Sequence, residues 1–168
     1  MEFYEVIQTR RSVRAYKPDP VPQDKIDRIL EAVRLAPTAA NRQPFTFIVV
    51  RDGAVRAALK AAYAQPWFYE APVIICACAQ PAAAWRRSDG RNYADVDTTI
   101  AMDHLILAAT AEGLGTCWIG AFNPQAVKEI LKLPPGLDPI AMTPLGFPAD
   151  APRAKNRKDL DDFVRFIG

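Results

Sequence analysis

The stretch "TTIAMDHLILAATAEGLGTCWIGAF", residues 98–122, is apolar on nearly every side of a helical wheel up to Gly113, and then turns strand-like. A surface helix carries one apolar stripe, whereas a helix apolar all round is buried on several sides. The stretch therefore predicts a long helix packed inside a core or against a second subunit. It should begin near Asp97, a residue type suited to an N-cap. Gly113 stands where a glycine just past the last turn stops a helix. "GTCWIGAF", residues 115–122, then reads as a short strand or turn.

Outward from this helix, further helices and strands alternate. Residues 2–9 read as a short helix with Phe3, Val6 and Ile7 on one face. "VPQDKIDRILEAVRLAP", 21–37, is amphipathic, with Ile26, Ile29, Leu30 and Val33 at i, i+3, i+4 and i+7. Pro22 suits its first turn and Pro37 ends it. "FTFIVV", 45–50, is β-branched and aromatic and reads as a strand. Residues 53–63 read as a helix, and "PVIICACA", 72–79, as a buried strand. Residues 80–96, "QPAAAWRRSDGRNYADV", break the pattern and read as a surface loop or lid. Asn123-Pro124 is an N-cap with a first-turn proline, opening a helix to about Leu131. "PIAMTPLGFP", 139–148, gives another strand. No linker, internal repeat or low-complexity stretch is visible, so residues 1–168 read as one domain.

Composition narrows the function classes. Half of the 168 residues are hydrophobic, enough for a proper core. The net charge of +2 argues against a nucleic-acid-binding surface, which would be far more basic. No apolar run reaches membrane-spanning length, and the start "MEFYEVIQTR" is unlike a signal peptide, so a cytoplasmic protein is expected. Three cysteines, Cys76, Cys78 and Cys117, point to reduced thiols. One histidine and no ligand spacing point away from a metal site.

Three stretches look unlike plain scaffold. "TRRSVRAYKP", 9–18, holds Arg10, Arg11, Ser12 and Arg14. Guanidinium forks bind phosphate bidentately and a hydroxyl adds a donor, although cations at a helix end are also stabilised by its dipole. "APTAANRQP", 36–44, joins a helix to a strand and carries Thr38, Asn41 and Gln43, whose amides suit the edge of a heterocycle or a simple turn. "GLGTCWIGAF", 113–122, offers Gly113, Gly115 and Gly120 for close backbone approach to a ligand, beside the flat Trp118 and Phe122. A G-x-G-x-x-G after a strand and a P-loop are both missing.

Taken in this order, the three stretches resemble the nitroreductase family of FMN-dependent oxidoreductases, over nearly the whole chain. "RRSVRAY" resembles the family's opening phosphate motif, and "APTAANRQPF" its Pro-Ser-Ser-x-Asn-x-Gln-Pro-Trp loop. "GLGTCWIGAF" is similar to its flavin-N5 segment, and "PLGFPADAPRAKNRK" to its closing Gly-Tyr-Pro and Lys-x-Arg motif. The resemblance implies an α+β fold, three layers with a mainly antiparallel sheet flanked by helices, in an intertwined homodimer with FMN at the subunit interface. It implies hydride transfer from NADH or NADPH through flavin N5 to a small oxidant, a nitroaromatic or quinone, by ping-pong turnover. Other members dehalogenate, or fragment the flavin itself.

Residue roles follow from the same resemblance. Arg10 and Ser12, with Arg11 nearby, should hold the FMN phosphate, completed by Lys155 and Arg157. Arg14 matches a cation near the flavin pyrimidine. Pro37, Thr38, Ala39, Asn41 and Gln43 match the loop that the partner lays against the ring. Trp118, Ile119, Gly120 and Ala121 match the backbone facing N5. The flavin performs the chemistry, so no catalytic side chain is expected. Arg86, Arg87 and Arg91 of the lid could meet an anionic substrate. Ala39 replaces a frequent serine, Phe45 a frequent tryptophan, and Asp103-His104 a frequent Gln-Asn. Two rival readings remain open at this stage: a thiol hydrolase using Cys117 and His104, and a small nucleic-acid binder.

Overall fold

The computed structural model describes residues 2–151 and 155–168. Helix α1 spans Phe3–Thr9 and α2 Gln23–Arg34. Strand β1, Phe45–Val50, is followed by α3, Gly53–Ala58, which tightens into a 3₁₀ turn at Leu59–Ala61. The short α4, Pro66–Tyr69, precedes β2, Val73–Ala79. The long α5, Ala94–Ala111, leads to β3, Gly115–Thr116. Helix α6, Pro124–Ile130, and β4, Asp138–Gly146, complete the main body.

The four strands form one antiparallel sheet in the order β1-β2-β4-β3. Strand side chains alternate between faces, and β2 separates two cores. Val73, Ile75 and Ala77 join α2 and α5 on one side. Ile74, Cys76 and Cys78 join Leu59, Phe68 and Val127 on the other. The result is the expected three-layer α+β arrangement. Both faces of β2 are covered, which is why "PVIICACA" reads as an unbroken apolar run. Cys76 and Cys78 are buried and reduced, as anticipated.

Helix α5 departs from expectation at its start. It begins at Ala94, so Asp97 is not its N-cap. The turn is made earlier, where the Ala94 N–H donates to Asn92 Oδ1 at 2.9 Å. Asp97 lies one turn inside, buried, with another use for its carboxylate. The helix end agrees with the sequence, since Gly113 takes φ +75° just past the last turn. Asn123 caps α6 as read, its Oδ1 accepting from the Gln125 and Ala126 amides. α1 forms, but of its predicted face only Val6 is buried; Phe3 and Ile7 face solvent.

Candidate functional site

The arginine motif is drawn to the far end of the chain by backbone pairing. After α1 the chain runs extended, and Ser12 bridges Thr116 in parallel, with the Val13 N–H donating to Thr116 O at 2.8 Å. Three residues on, Tyr16 bridges Pro148, and the Ala149 N–H donates to Ala15 O at 2.9 Å. Residues 10–17 thus lie between the β3 edge and the segment after β4. The half-buried Tyr16 hydroxyl donates to Val13 O at 2.8 Å, which fixes the turn, and desolvation pushes its ionisation far above the usual range.

This threading assembles a cavity of about 330 Å³ lined by Arg10, Arg11, Ser12, Arg14, Asp150, Lys155, Asn156 and Arg157. Five of those eight side chains are basic and one is a carboxylate. Asp150 is already satisfied: Arg11 Nη1 donates to its Oδ1 at 2.6 Å, and the Arg14 N–H to its Oδ2 at 2.9 Å. Burial would raise that carboxyl, but these donors outweigh it and hold it below the ordinary carboxylate range. Lys155 donates to Gln8 O at 2.6 Å. Burial, then the charges of Arg10, Arg157 and Arg11, push its ammonium below the usual lysine value. Cations crowded against one another relax when an anion arrives, so this donor set fits a phosphate monoester. Residues 152–154 of the closing motif, Arg153 included, lie outside the described residues.

The "GLGTCWIGAF" glycines serve three different ends. Gly113 stops the helix. A Cβ on Gly115 would lie 2.7 Å from Val13 Cγ2, so that glycine lets two backbones of the same chain meet. Each of these two glycines thus has a role within the chain itself. Gly120 differs: its φ is ordinary, and the nearest atom to an added Cβ is Trp118 Nε1 at 3.8 Å. The segment is pinned by the Ile119 N–H donating to Met142 O at 2.9 Å. Among the described residues, the neighbouring Gly120 N–H has no partner. Trp118 is 40% exposed beside it.

The Pro37–Gln43 loop does not line the phosphate cavity. Its Ala39 N–H donates to Asp97 Oδ1 at 3.0 Å, at the N-terminal end of α5. Arg10 and Arg11, by contrast, line a small cavity with Thr110 and Gly113 at the other end of that helix. Thirteen residues separate Asp97 from Thr110, roughly 20 Å at ~1.5 Å per residue. The lid lies at the loop's end, since the Gln80 N–H donates to Pro44 O at 2.8 Å. Within it, Arg87 is committed to Asp89 and lies over the Tyr93 ring, Arg86 Nη1 reaches the Gly90 carbonyl at 3.4 Å, and Arg86 and Arg91 are exposed.

The sequence reading missed Asp97 and Asp150, whose partners are far away in the chain. It also missed Trp67 and Glu70, which share a cavity of about 360 Å³ with Arg14 and Tyr16. Cys117 and His104 do not form a pair. Burial, partly offset by Arg14 and Ser12, raises the thiol away from a reactive thiolate. His104 Nδ1 lies 3.0 Å from the Ile100 carbonyl of its own helix.

A three-layer α+β protein with a cationic pocket at the edge of an antiparallel sheet is what fold and site define. The description "Nitroreductase family" matches residues 7–64 and 59–147. The chain belongs to the nitroreductase family. It is similar to a nitroreductase family protein of Clostridium difficile 630, with a TM-score of 0.90 and 34% identity over 99% of this chain and 98% of that one. It is 34% identical to the FMN reductase [NAD(P)H] of Bacillus subtilis over 93% of this chain and 70% of that protein. It is 32% identical to an NADH dehydrogenase of Thermus thermophilus over 92% of this chain and 91% of that protein.

Proposed function

We propose that residues 1–168 form one FMN-binding unit of a cytoplasmic homodimer that passes electrons from NADH or NADPH to a small oxidant such as a nitroaromatic or quinone. The observation that carries the reading is the cavity where Arg10, Ser12, Arg14, Lys155 and Arg157 converge with one already neutralised carboxylate. FMN, when bound there, supplies the two-electron chemistry, with donor and oxidant taking turns in one slot.

The chain's own groups bind, orient and shield. Arg10, Ser12, Lys155 and Arg157 hold the phosphate. Arg11 braces the turn through Asp150. Arg14 brings positive charge to the ring's polar edge, which favours negative charge there. Gly120 offers an unpartnered N–H to a ring nitrogen, with Trp118, Ile119 and Ala121 forming the backbone wall. Pro37, Thr38, Ala39, Asn41 and Gln43 lie roughly 20 Å away along α5, so they belong over the flavin of a second copy. Arg86 and Arg91, at the same end as that loop, face an anionic co-substrate.

Other features favour the dimer. Phe3, Tyr4, Phe163, Phe166 and Ile167 are exposed. Ile100, His104 and Leu107 leave an apolar stripe of α5 only half covered. No helix among the described residues is long and apolar enough to cross a membrane, so these surfaces are read as covered by protein.

Purification followed by absorbance and light scattering tests the reading. A yellow dimer carrying two FMN, bleached anaerobically by NADH or NADPH, is the expected result. A colourless protein that also ignores added FMN would sink it.

A further inference from the structure

We propose that Asp97 is a positioning residue that holds the Pro37–Gln43 loop in the shape presented to the partner subunit's flavin. The proposal rests on the shared-site reading above.

Asp97 is 1% exposed and stands in the first turn of α5. Its Oδ1 accepts the Ala39 N–H at 3.0 Å. Its Oδ2 is buried with no hydrogen-bond partner among the described residues. A buried carboxylate oxygen without a donor is destabilising. The amides at the start of an 18-residue helix soften that penalty but do not remove it. An apolar side chain of similar size would pack here at no such penalty. The carboxylate is therefore explained by its link to Ala39 and not by packing.

The loop needs that link. Immediately after the anchored amide, Ala40, Asn41 and Gln43 take φ of 52°, 53° and 49°. Left-handed backbone is strained for residues with a Cβ and persists only where surroundings over-determine it. The loop's other side-chain bonds are internal to it. The Gln43 N–H donates to Thr38 Oγ1 at 3.1 Å, and Gln43 Nε2 to Asn41 Oδ1 at 3.0 Å. Apart from the Phe45 N–H to Gln43 O bond at 2.9 Å, where the loop runs into β1, the Asp97–Ala39 bond is the one hydrogen bond among the described residues that fastens residues 38–43 to another element. It sets where the strained loop points, and so where Asn41 and Gln43 are offered.

The experiment compares Asp97→Ala, Asp97→Asn and a core control, Val127→Ala, which lies in the opposite layer. Flavin-free protein is titrated with FMN by fluorescence quenching, and melting temperatures are recorded alongside. Asp97→Ala should weaken FMN about tenfold or more. Asp97→Asn should stay within about threefold, because its amide oxygen still accepts the Ala39 N–H. Val127→Ala should lower the melting temperature without weakening FMN. If Val127→Ala weakens FMN as much as Asp97→Ala does, the effect is mere destabilisation and the inference fails. An Asp97→Ala protein that keeps wild-type affinity overturns it as well.

Mixed dimers make the test specific. A chain with Arg10→Ala is combined with a differently tagged chain carrying Asp97→Ala. If Asp97 acts across the interface, one site collects both lesions and the other has none, giving one tight FMN per dimer. If the mixed dimer binds no tight FMN, Asp97 does not act on the partner's site and the inference is wrong. A wild-type chain that binds no FMN instead removes the shared-site reading, and this inference with it.

Discussion

At the residue scale, like residues in one motif carry unlike duties. Gly115 and Gly120 stand five positions apart in the same glycine-rich segment, yet an added Cβ would clash with Val13 at the first and meet only Trp118 Nε1, at an ordinary 3.8 Å, at the second. Gly115→Ala should therefore lower stability by about 1–3 kcal/mol, as overpacking does, seen as a lower urea midpoint with FMN affinity little changed. Gly120→Ala should leave the midpoint where it is and weaken FMN. The arginines divide similarly. Arg10→Ala should weaken FMN roughly 10–100-fold, the loss expected when a charge-assisted contact to phosphate is removed. Arg14→Ala should instead lower the flavin midpoint potential, read by anaerobic dye titration. An unchanged potential in Arg14→Ala would contradict its place at the ring. The motif residues were legible in the sequence because each motif is local. Asp97 was not, because the N-cap rule is local too, and the carboxylate is used by a loop 58 residues away in the chain.

At the element scale, α5 is the strut between the Pro37–Gln43 loop and the Arg10 cavity, and its C-terminal end is clamped to α2. Arg28 Nε donates to Glu112 Oε1 at 2.8 Å, and Lys25 Nζ to the Glu112 carbonyl at 2.7 Å. Hydrogen bonds from Arg28, opposed by burial and aided by Lys25, lower the Glu112 carboxyl from 4.5 to about 2. A depressed carboxyl stabilises the fold above its unfolded value and loses that effect as protons bind. The clamp's contribution is therefore complete above pH 4.5 and fades as pH falls toward 2. The groups are partly solvated, so Glu112→Gln should cost only about 1 kcal/mol at neutral pH. Urea midpoints of wild type and variant should differ at pH ~7, draw together below pH 4.5, and converge only as pH falls toward 2. The helix's length and apolarity were legible in residues 98–113. Its first turn was not, because Asn92 and Asp97 are both competent caps and only the chain's path past Pro81 chooses between them.

At the scale of the whole molecule, the Arg10 cavity and the Pro37–Gln43 loop lie at opposite ends of one helix, and the shared-site proposal makes each of them half of a site. Phe166 and Ile167 are 94% and 100% exposed, an apolar end that a second copy would cover. Removing residues 160–168 should therefore give a folded monomer that loses most of its FMN affinity. Light scattering gives the mass and flavin absorbance the occupancy. A truncated chain that stays dimeric and yellow would contradict the role given to the tail. The Asp97 mixed-dimer experiment asks the same question from inside the site.

The sequence by itself determined the layers, the buried central strand, the family and the cationic motif, because periodicity, propensity and short-range spacing are written along the chain. Only the tertiary structure decided which cations meet, which glycine keeps an unpartnered N–H, and that Asp97 fastens a loop rather than capping a helix. Those outcomes depend on pairings such as Ser12 with Thr116 and Tyr16 with Pro148. Contacts between segments more than 100 residues apart leave no local pattern in the chain, and they exist only once the sheet has closed around them.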